Sequence, residues 1–532
     1  MNYKVVIPCA GLGTRVAEET QLLNKALIPL GQKAAISHII ETFDQDQEFV
    51  IILGYKGSQV REYLRHAHKQ LDVTFVEVDL FEGEGSGLGR SILAAREELQ
   101  CPFLFVACDA VFRGKLPAPD RNWAGFSETR VQTQQYRLLE LSEDKQVLSF
   151  LDKASEPAAD RVPYTGIAGI HDFGVFWDSM IDGSHDSIEL GEVFGLSHLV
   201  ENGIQGERID WIDIGNSEAL AQARKILDQE STAVILPKND EAIWILDDIV
   251  IKYSRDQSFI KDRVTRTSDL LAFVPKIRLV SENMYSYDKV SGELFGNVVA
   301  QGTATVLELL EFSKTFWEPR SENLTSSEFQ SSCLKFYRDK TWDRIRSFDK
   351  KYRVLNEPST INDVACRSVR QSLEELDWNE LTCGVPVRFH GDFHFQNILY
   401  RRERLPRFAF LDWRQNFSGH LFVGDIYYDF AKLLHGLIVA HEVVHRNEFE
   451  VRQESETIRL SIARPNCYSE SQELFERWAA ENNYSWSRIW TLTALVFLNI
   501  AALHHHPYDR FLYHLGQLML NSEGECDGVF TS

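Results

Sequence analysis

Along the first half of the chain, short apolar runs alternate with stretches whose apolar positions recur at helical spacing. Residues 4–8, 49–54, 74–78 and 103–108 read as strands bounded by turn formers. Between them, 34–42, 59–68 and 90–99 place apolar side chains three and four positions apart, as amphipathic helices do. Strand and helix in alternation predict a parallel sheet with crossover helices. Residues 164–177 read as a further strand pair, followed by a helix near 191–201.

The pattern restarts near residue 230. Residues 241–253 (EAIWILDDIVIKY) alternate like a hairpin with Asp247 and Asp248 at its turn. A mostly helical region follows over 303–376, then a strand-loop-strand element over 387–411, then long helices. The apolar run 489–503 is broken by Thr491, Thr493 and Asn499, which makes it a buried helix and too short for a membrane span.

A chain of 532 residues exceeds what one core usually serves, so two domains are expected, 1–230 and 231–532. The net charge of -22 excludes a nucleic-acid wrapper or a protein docked on anionic lipid, since both need basic surfaces. Small molecules are the expected partners; the oligomeric state, including a homo-oligomer, stays open. The N-terminus shows no basic segment followed by an apolar one, so no export signal is read. Eight scattered cysteines without CxxC spacing fit a reduced, cytoplasmic protein.

Candidate chemistry begins where the first strand runs into Ala10-Gly11-Leu12-Gly13-Thr14-Arg15, with Asn24-Lys25 ten residues on. A glycine-rich turn at a strand end lets backbone N–H groups approach an anion. A dinucleotide-binding turn lacks its third glycine here, since position 16 is Val, and no Walker A pattern occurs. A mere tight turn is the remaining alternative. The segment FLFVACD ends an apolar strand in Asp109, and WIDIG carries Asp213. Lys153 stands in SFLDKASEP, and Gly85 and Gly87 in GEGSGLG.

Taken in order, these fragments resemble the sugar-phosphate and phosphocholine nucleotidyltransferases. In that family GxGTR is followed by a proline-lysine pair; Asn24 replaces the proline here, and Asp152 stands where the family has glutamate. The resemblance implies that Ala10, Gly11, Gly13, Thr14, Gly85 and Gly87 bind the nucleotide, and that Arg15 and Lys25 act in catalysis. It further implies that Asp109 and Asp213 hold Mg²⁺ and that Lys153 contacts the substrate phosphate. Two anions must meet in such a reaction, so cations and alignment are what the protein supplies.

A second constellation lies in His390-Gly391-Asp392-Phe393-His394-Phe395-Gln396-Asn397, followed by Phe410-Leu411-Asp412-Trp413. HGDxHxxN with a downstream strand ending in Asp is similar to the aminoglycoside phosphotransferases and choline/ethanolamine kinases. The resemblance implies a bilobal, protein-kinase-like α+β domain, with a small lobe over about 231–297 and a large helical lobe over about 298–532. Asp392 would orient or deprotonate the acceptor hydroxyl. Asn397 and Asp412 would hold Mg²⁺ on ATP, and Lys252 would pair the phosphates. YDKVSGELF (287–295) looks like the hinge where adenine docks. The helix after Lys252 has no glutamate to pair with it, leaving Asp262 or Asp269 as substitutes, or a looser pairing. Asp425, in GDIYYD, is expected to cap a helix and brace the loop.

The expected fold is therefore α/β, a Rossmann-like nucleotidyltransferase domain with a mixed, mostly parallel sheet joined to the kinase-like domain. The expected activity is a kinase on a small alcohol and a transfer of a nucleotidyl group, CMP first among candidates, from CTP or another NTP to the phosphomonoester. Choline or ethanolamine is the first acceptor by resemblance, with Trp413, Tyr427, Tyr428, Trp486 and Trp490 as cation–π candidates, although aromatic residues at helical spacing more often pack in a core. A sugar or polyol bound for surface polysaccharide is the second. Further readings keep one head as a binding module, or join two aminoglycoside-modifying heads. The His504-His505-His506 run is expected to line the acceptor pocket from a helix end, or to pack, and not to bind a metal.

Overall fold

The computed structural model describes residues 3–128, 135–152, 161–228, 240–320, 324–440, 443–444, 446–454, 457–522, 524, 526 and 528–531. The chain packs as two compact units, Met1–Asp256 with Leu279–Lys289, and Gln257–Arg278 with Val290–Ser532. The division between Lys289 and Val290 falls inside the segment read as a hinge.

In the first unit, strand Lys4–Cys9 lies at the centre of a nine-stranded sheet, parallel to Glu48–Leu53 on one side and to Phe103–Val106 on the other. Asp72–Glu77 continues the parallel run, and Arg161–Ile170 adds antiparallel to Phe103–Val106. Val5, Val6, Ile7, Val50, Ile51 and Ile52 are all fully buried, on both faces of their strands. A strand covered on both sides reads as a continuous apolar run, which is the pattern seen in the sequence. Residues 164–177 are not a strand pair: the strand ends at Ile170 and Phe173–Asp182 is a helix. Phe176, Trp177 and Met180 recur at helical spacing there and bury one face.

The hairpin Glu241–Ile245 and Ile249–Ser254 forms as expected, with Lys252 opposite Ile243 and Tyr285. It packs within the first unit. The Trp244 indole lies 5.0 Å from the Tyr63 ring and donates from Nε1 to the Leu27 carbonyl at 3.1 Å. Gln59 donates to the Tyr253 hydroxyl at 3.0 Å.

The second unit is mainly helical around one core. Helix Ser326–Leu334 starts at a capping box between Thr325 and Glu328. It runs through a π-helical turn, Lys335–Asp339, into helix Lys340–Tyr352. Helices Ile426–Ile438, Trp486–Ala501 and Tyr508–Met519 complete the centre. Two hairpins interrupt regions read as helical: Ser359–Ile361 with Val364–Cys366, and Phe449–Glu454 with Thr457–Ala463. The segment TIRLSIA buries every second residue, a period of two. Among the described residues no helix is long and apolar enough to cross a membrane.

Candidate active sites

In the first unit, the chain leaves the central strand at Cys9 and turns through Gly13, whose φ of 67° is left-handed. A Cβ there would lie 2.6 Å from Thr20 Cγ2, so the turn needs glycine on both counts. Gly11 and Arg15 lie towards solvent at the tip with Thr14, while Ala10 is buried beneath. The following loop is held by Asn24. Its amide donates to the carbonyls of Cys9 (2.8 Å) and Tyr55 (2.7 Å), and its Oδ1 accepts from Ala26 N–H at 2.9 Å. Asn24 N–H donates to Gln59 at 2.9 Å. Asn24 thus ties the ends of two parallel strands together and caps the short helix that begins at Lys25.

Lys25 is buried and its ammonium lies 2.5 Å from Asp109 Oδ2. Asp213 reaches the same place from another direction. Its strand Asp210–Asp213 pairs antiparallel with Ala110–Arg113, setting Asp213 opposite Ala110, the residue after Asp109. The two carboxylates converge on Gly215: a Cβ there would lie 2.9 Å from Asp213 Oδ1 and 3.5 Å from Asp109 Oδ2. Gly215 leaves that space open. Burial pushes the Asp109 carboxyl up, but Lys25 and then Arg15 outweigh it and hold it below the usual range. Asp213 is pushed up by burial and by the Asp109 charge, against the hydrogen bonds from Tyr136 (2.7 Å) and Gly215 N–H (2.9 Å).

The GEGSGLG loop lies at the foot of helix Leu88–Ala94, with Gly85 and Gly87 half-buried. A Cβ on Gly89 would meet the Ser187 carbonyl at 1.9 Å, so this helix approaches Ser184–Leu190 as only glycine permits. Lys153 lies outside the described residues.

In the second unit, the His390–Asn397 loop is held by hydrogen bonds from several elements. Asp429 accepts from the His390 N–H at 2.7 Å and the Gly391 N–H at 2.6 Å. Asp425 caps helix Ile426–Ile438, as expected, but the bracing of the loop comes from Asp429. Burial raises the Asp429 carboxyl to about 6 against those hydrogen bonds. His390 accepts from the Asp392 N–H on Nδ1 and contacts the Leu411 carbonyl through Nε2 at 2.8 Å, which places its proton on Nε2. Burial lowers His390 to about 3, so it stays neutral.

Asp392 is met by Lys432 at 2.8 Å and by His394 at 3.6 Å, and 37% of its side chain stays exposed. Burial pushes its carboxyl up, and Lys432 with His394 more than reverses this, leaving it well below the usual range. Asn397 Nδ2 donates to the Asp392 carbonyl (2.9 Å) and carboxylate (3.2 Å). The Leu411 N–H donates to the Asn397 carbonyl at 2.8 Å, so Asp412 follows directly on a strand end tied to the loop. Asp412 has a left-handed φ of 59° and is paired with Arg263 at 2.6 Å.

Two regions of this chain match known families. Residues 5–116 match the MobA-like NTP transferase domain, and residues 335–454 match the phosphotransferase enzyme family. The chain joins an NTP transferase domain to a phosphotransferase domain. The chain is 24% identical over 255 residues to the bifunctional protein GlmU of Methanocaldococcus jannaschii, covering 46% of this chain and 60% of that protein. It is 33% identical over 116 residues to a probable glucose-1-phosphate cytidylyltransferase of Bacillus subtilis, covering 21% and 42%. The CTP:phosphocholine cytidylyltransferase structure from Streptococcus pneumoniae aligns over 43% of this chain and all of that one, at 18% identity and a TM-score of 0.35.

Several residues of both domains were not singled out from sequence. In the NTP transferase domain they are Tyr136 on Asp213 and Glu192, a buried carboxylate raised to about 7 by burial, against Arg137 and with the Asp109 charge adding to the rise. In the phosphotransferase domain they are Lys432 on Asp392 and Arg263 on Asp412. Lys252 is buried within the first unit. The proposed substitutes for its glutamate are otherwise bonded: Asp262 accepts from Asn416 at 2.9 Å, and Asp269 pairs with Arg320 at 2.6 Å. His504 to His506 lie in the turn between two helices and not on a helix. Among the described residues, no group of three or more His, Cys, Asp or Glu is arranged to hold a metal ion.

Proposed function

We propose that the chain is a bifunctional enzyme that phosphorylates a small alcohol with ATP and then joins the phosphomonoester to a nucleotide, CMP from CTP being the first choice. The observation that carries this reading is the repetition of one device in both domains, a buried lysine against an aspartate that stays open to solvent. Lys25 meets Asp109 in one, and Lys432 meets Asp392 in the other.

In the phosphotransferase half, the acceptor oxygen bonds to the γ-phosphorus, the bond to the bridging oxygen breaks, ADP leaves and the hydroxyl proton passes to water. A carboxylate held as acidic as Asp392 is a poor base, so its part is to accept the hydroxyl hydrogen bond and aim the oxygen. In the transferase half, an oxygen of the phosphomonoester bonds to the α-phosphorus of the NTP and pyrophosphate leaves. Arg15, Lys25 and Lys153 neutralise the meeting anions, while Ala10, Gly11, Gly13, Thr14, Gly85 and Gly87 seat the nucleotide.

Mg²⁺ suits both sets, which offer only oxygen donors: Asp109 with Asp213, converging beside Gly215, and Asn397 with Asp412, joined through Leu411. When bound, the ion draws charge from the phosphates. Few protein ligands per site is the usual arrangement for Mg²⁺, the rest being phosphate and water.

On the acceptor, a sugar or polyol now has more support than choline or ethanolamine. Trp413, Tyr427, Tyr428 and Trp490 are almost wholly buried. Trp413 and Trp490 spend their indole N–H groups on the carbonyls of Arg263 and Met519, and Trp486 packs on Phe475. Four of the five are core positions and Trp486 is half-buried against that core, so packing accounts for them without an aromatic cage. The cytidylyltransferase relative named for glucose 1-phosphate points the same way. The test is mass spectrometry of the products from ATP, CTP and a panel of alcohols; a CDP-linked alcohol supports the reading, and ADP with no nucleotide-linked product from any phosphorylated alcohol contradicts it.

A further inference from the structure

Beside Asp392 the phosphotransferase domain gathers cations from three elements. Lys432 comes from helix Ile426–Ile438 and touches Asp392 itself. One turn earlier on that helix is Tyr428, whose ring meets Phe336 at 4.7 Å. Phe336 belongs to the π-helical turn, a feature that recurs at functional sites. Over these rings lies the Lys340 ammonium, 4.4 Å from the Phe336 centroid and 5.9 Å from that of Tyr428. Arg414 covers Phe336 as well, at 4.9 Å, and a Cβ on Gly391 would touch its Cβ at 2.5 Å. Lys340 and Arg414 therefore share one aromatic ring, and Arg414 abuts the residue next to Asp392.

Among the described residues, no carboxylate lies within ion-pair distance of Lys340 or Arg414. The nearby acids are engaged locally, Asp339 with Arg338 at 2.9 Å and Asp343 with Arg346 at 3.6 Å. In a chain with 78 acidic and 56 basic side chains, a basic wall of this kind runs against the overall charge. Burial, followed by Arg414, Lys432 and Arg344, depresses the Lys340 ammonium well below its usual range, and the Asp392 charge offsets this only in part. A bound anion would relieve that repulsion.

We propose that the alcohol phosphorylated here carries its own negative charge, as a small hydroxy acid or a polyol bearing a carboxylate or phosphate, with the acidic group against Lys340 and Arg414 and the hydroxyl at Asp392. The proposal rests on the reading of Asp392 as the phosphotransfer site. Arg and Lys over aromatic rings, with no carboxylate partner, form a seat for an oxyanion and repel a quaternary ammonium.

The test uses the full chain with ATP and Mg²⁺ and matched acceptors: glycerate and glycerol phosphate against glycerol, gluconate against glucitol, with choline and ethanolamine as the cationic arm. Product formation is read by mass spectrometry and kcat/KM by ADP release. The expected result is a preference of at least about tenfold for the acidic member of a pair. In Lys340→Met that preference collapses toward one through KM for the acid; Arg414→Gln gives a second reading should the first variant fail to fold. The carboxylate and phosphate arms separate the two forms of the anion. Turnover of neutral or cationic acceptors with acids left untouched overturns the proposal and leaves the kinase reading standing. Absence of any phosphorylated product, or product that survives Asp392→Ala, overturns both.

Discussion

The Lys432 ammonium sits 2.8 Å from Asp392 Oδ1, on a helix well along the chain from the HGDxHxxN loop. This contact decides the protonation state of the residue assigned to the acceptor hydroxyl. Removing it in Lys432→Ala takes away the largest charge opposing burial, so the Asp392 carboxyl rises. Phosphotransfer should fall by about 100-fold, and the acid limb of its pH profile should move to higher pH. Lys432→Arg keeps the charge and should recover part of the activity. An acid limb that does not move in the Ala variant contradicts the assignment.

Lys25 and Asp109 make the matching pair in the NTP transferase domain. Lys25→Ala and Asp213→Asn should each lower pyrophosphate release by about 100-fold or more, with ADP formation kept near that of the wild type. Equal loss of both activities would mean that the substitutions act by unfolding.

The family resemblance leads one to expect proline at position 24, and proline adopts the φ of −62° found at Asn24. Its hydrogen bonds would not survive. Asn24→Pro strips partners from the buried Cys9 carbonyl, the half-buried Tyr55 carbonyl and Gln59. Each buried group so orphaned costs about 1–3 kcal/mol, so the melting temperature should fall by roughly 5 °C or more. An unchanged or higher melting temperature would show that proline is equivalent to Asn24 here.

Glu192 offers a pH test. Its carboxyl is raised from 4.5 to about 7 in the folded chain, so folding favours its protonated form. The stability this provides is full below the unfolded value and is lost as pH rises through about 7. Gln cannot ionise. Between about pH 5 and about pH 8, Glu192→Gln should therefore lose less thermal stability than the wild type. Parallel curves would show that Glu192 ionises normally.

Much of both candidate sites was legible before any coordinates. Asp109 follows an apolar strand of a mostly parallel sheet, where strand ends commonly meet ligands; Asp412 follows a strand of an antiparallel hairpin and is reached through the resemblance carried by HGDxHxxN. Asp213 could be reached only through the order of fragments, since its partnership with Asp109 depends on a pairing with Ala110–Arg113. Lys432, Arg263, Tyr136 and Glu192 gave no signal, because a single polar residue in a helix or loop does not reveal which face it turns inward. The hairpin Phe449–Glu454 with Thr457–Ala463 is different. Its alternation is plain in TIRLSIA, and only the long helical patterns around it obscure the strand. Of the aromatic residues weighed as cation–π candidates, Trp413, Tyr427, Tyr428 and Trp490 are core, the commoner fate of aromatics at that spacing, and Trp486 packs against that core.

The most direct measurement is a crossed pair of half-reaction assays on the full chain, pyrophosphate release and ADP formation, in Asp109→Ala and Asp392→Ala. Two separate catalytic centres predict that Asp109→Ala abolishes pyrophosphate release while ADP formation continues, and that Asp392→Ala does the reverse. ADP formation undiminished in Asp392→Ala, or pyrophosphate release undiminished in Asp109→Ala, would contradict the account.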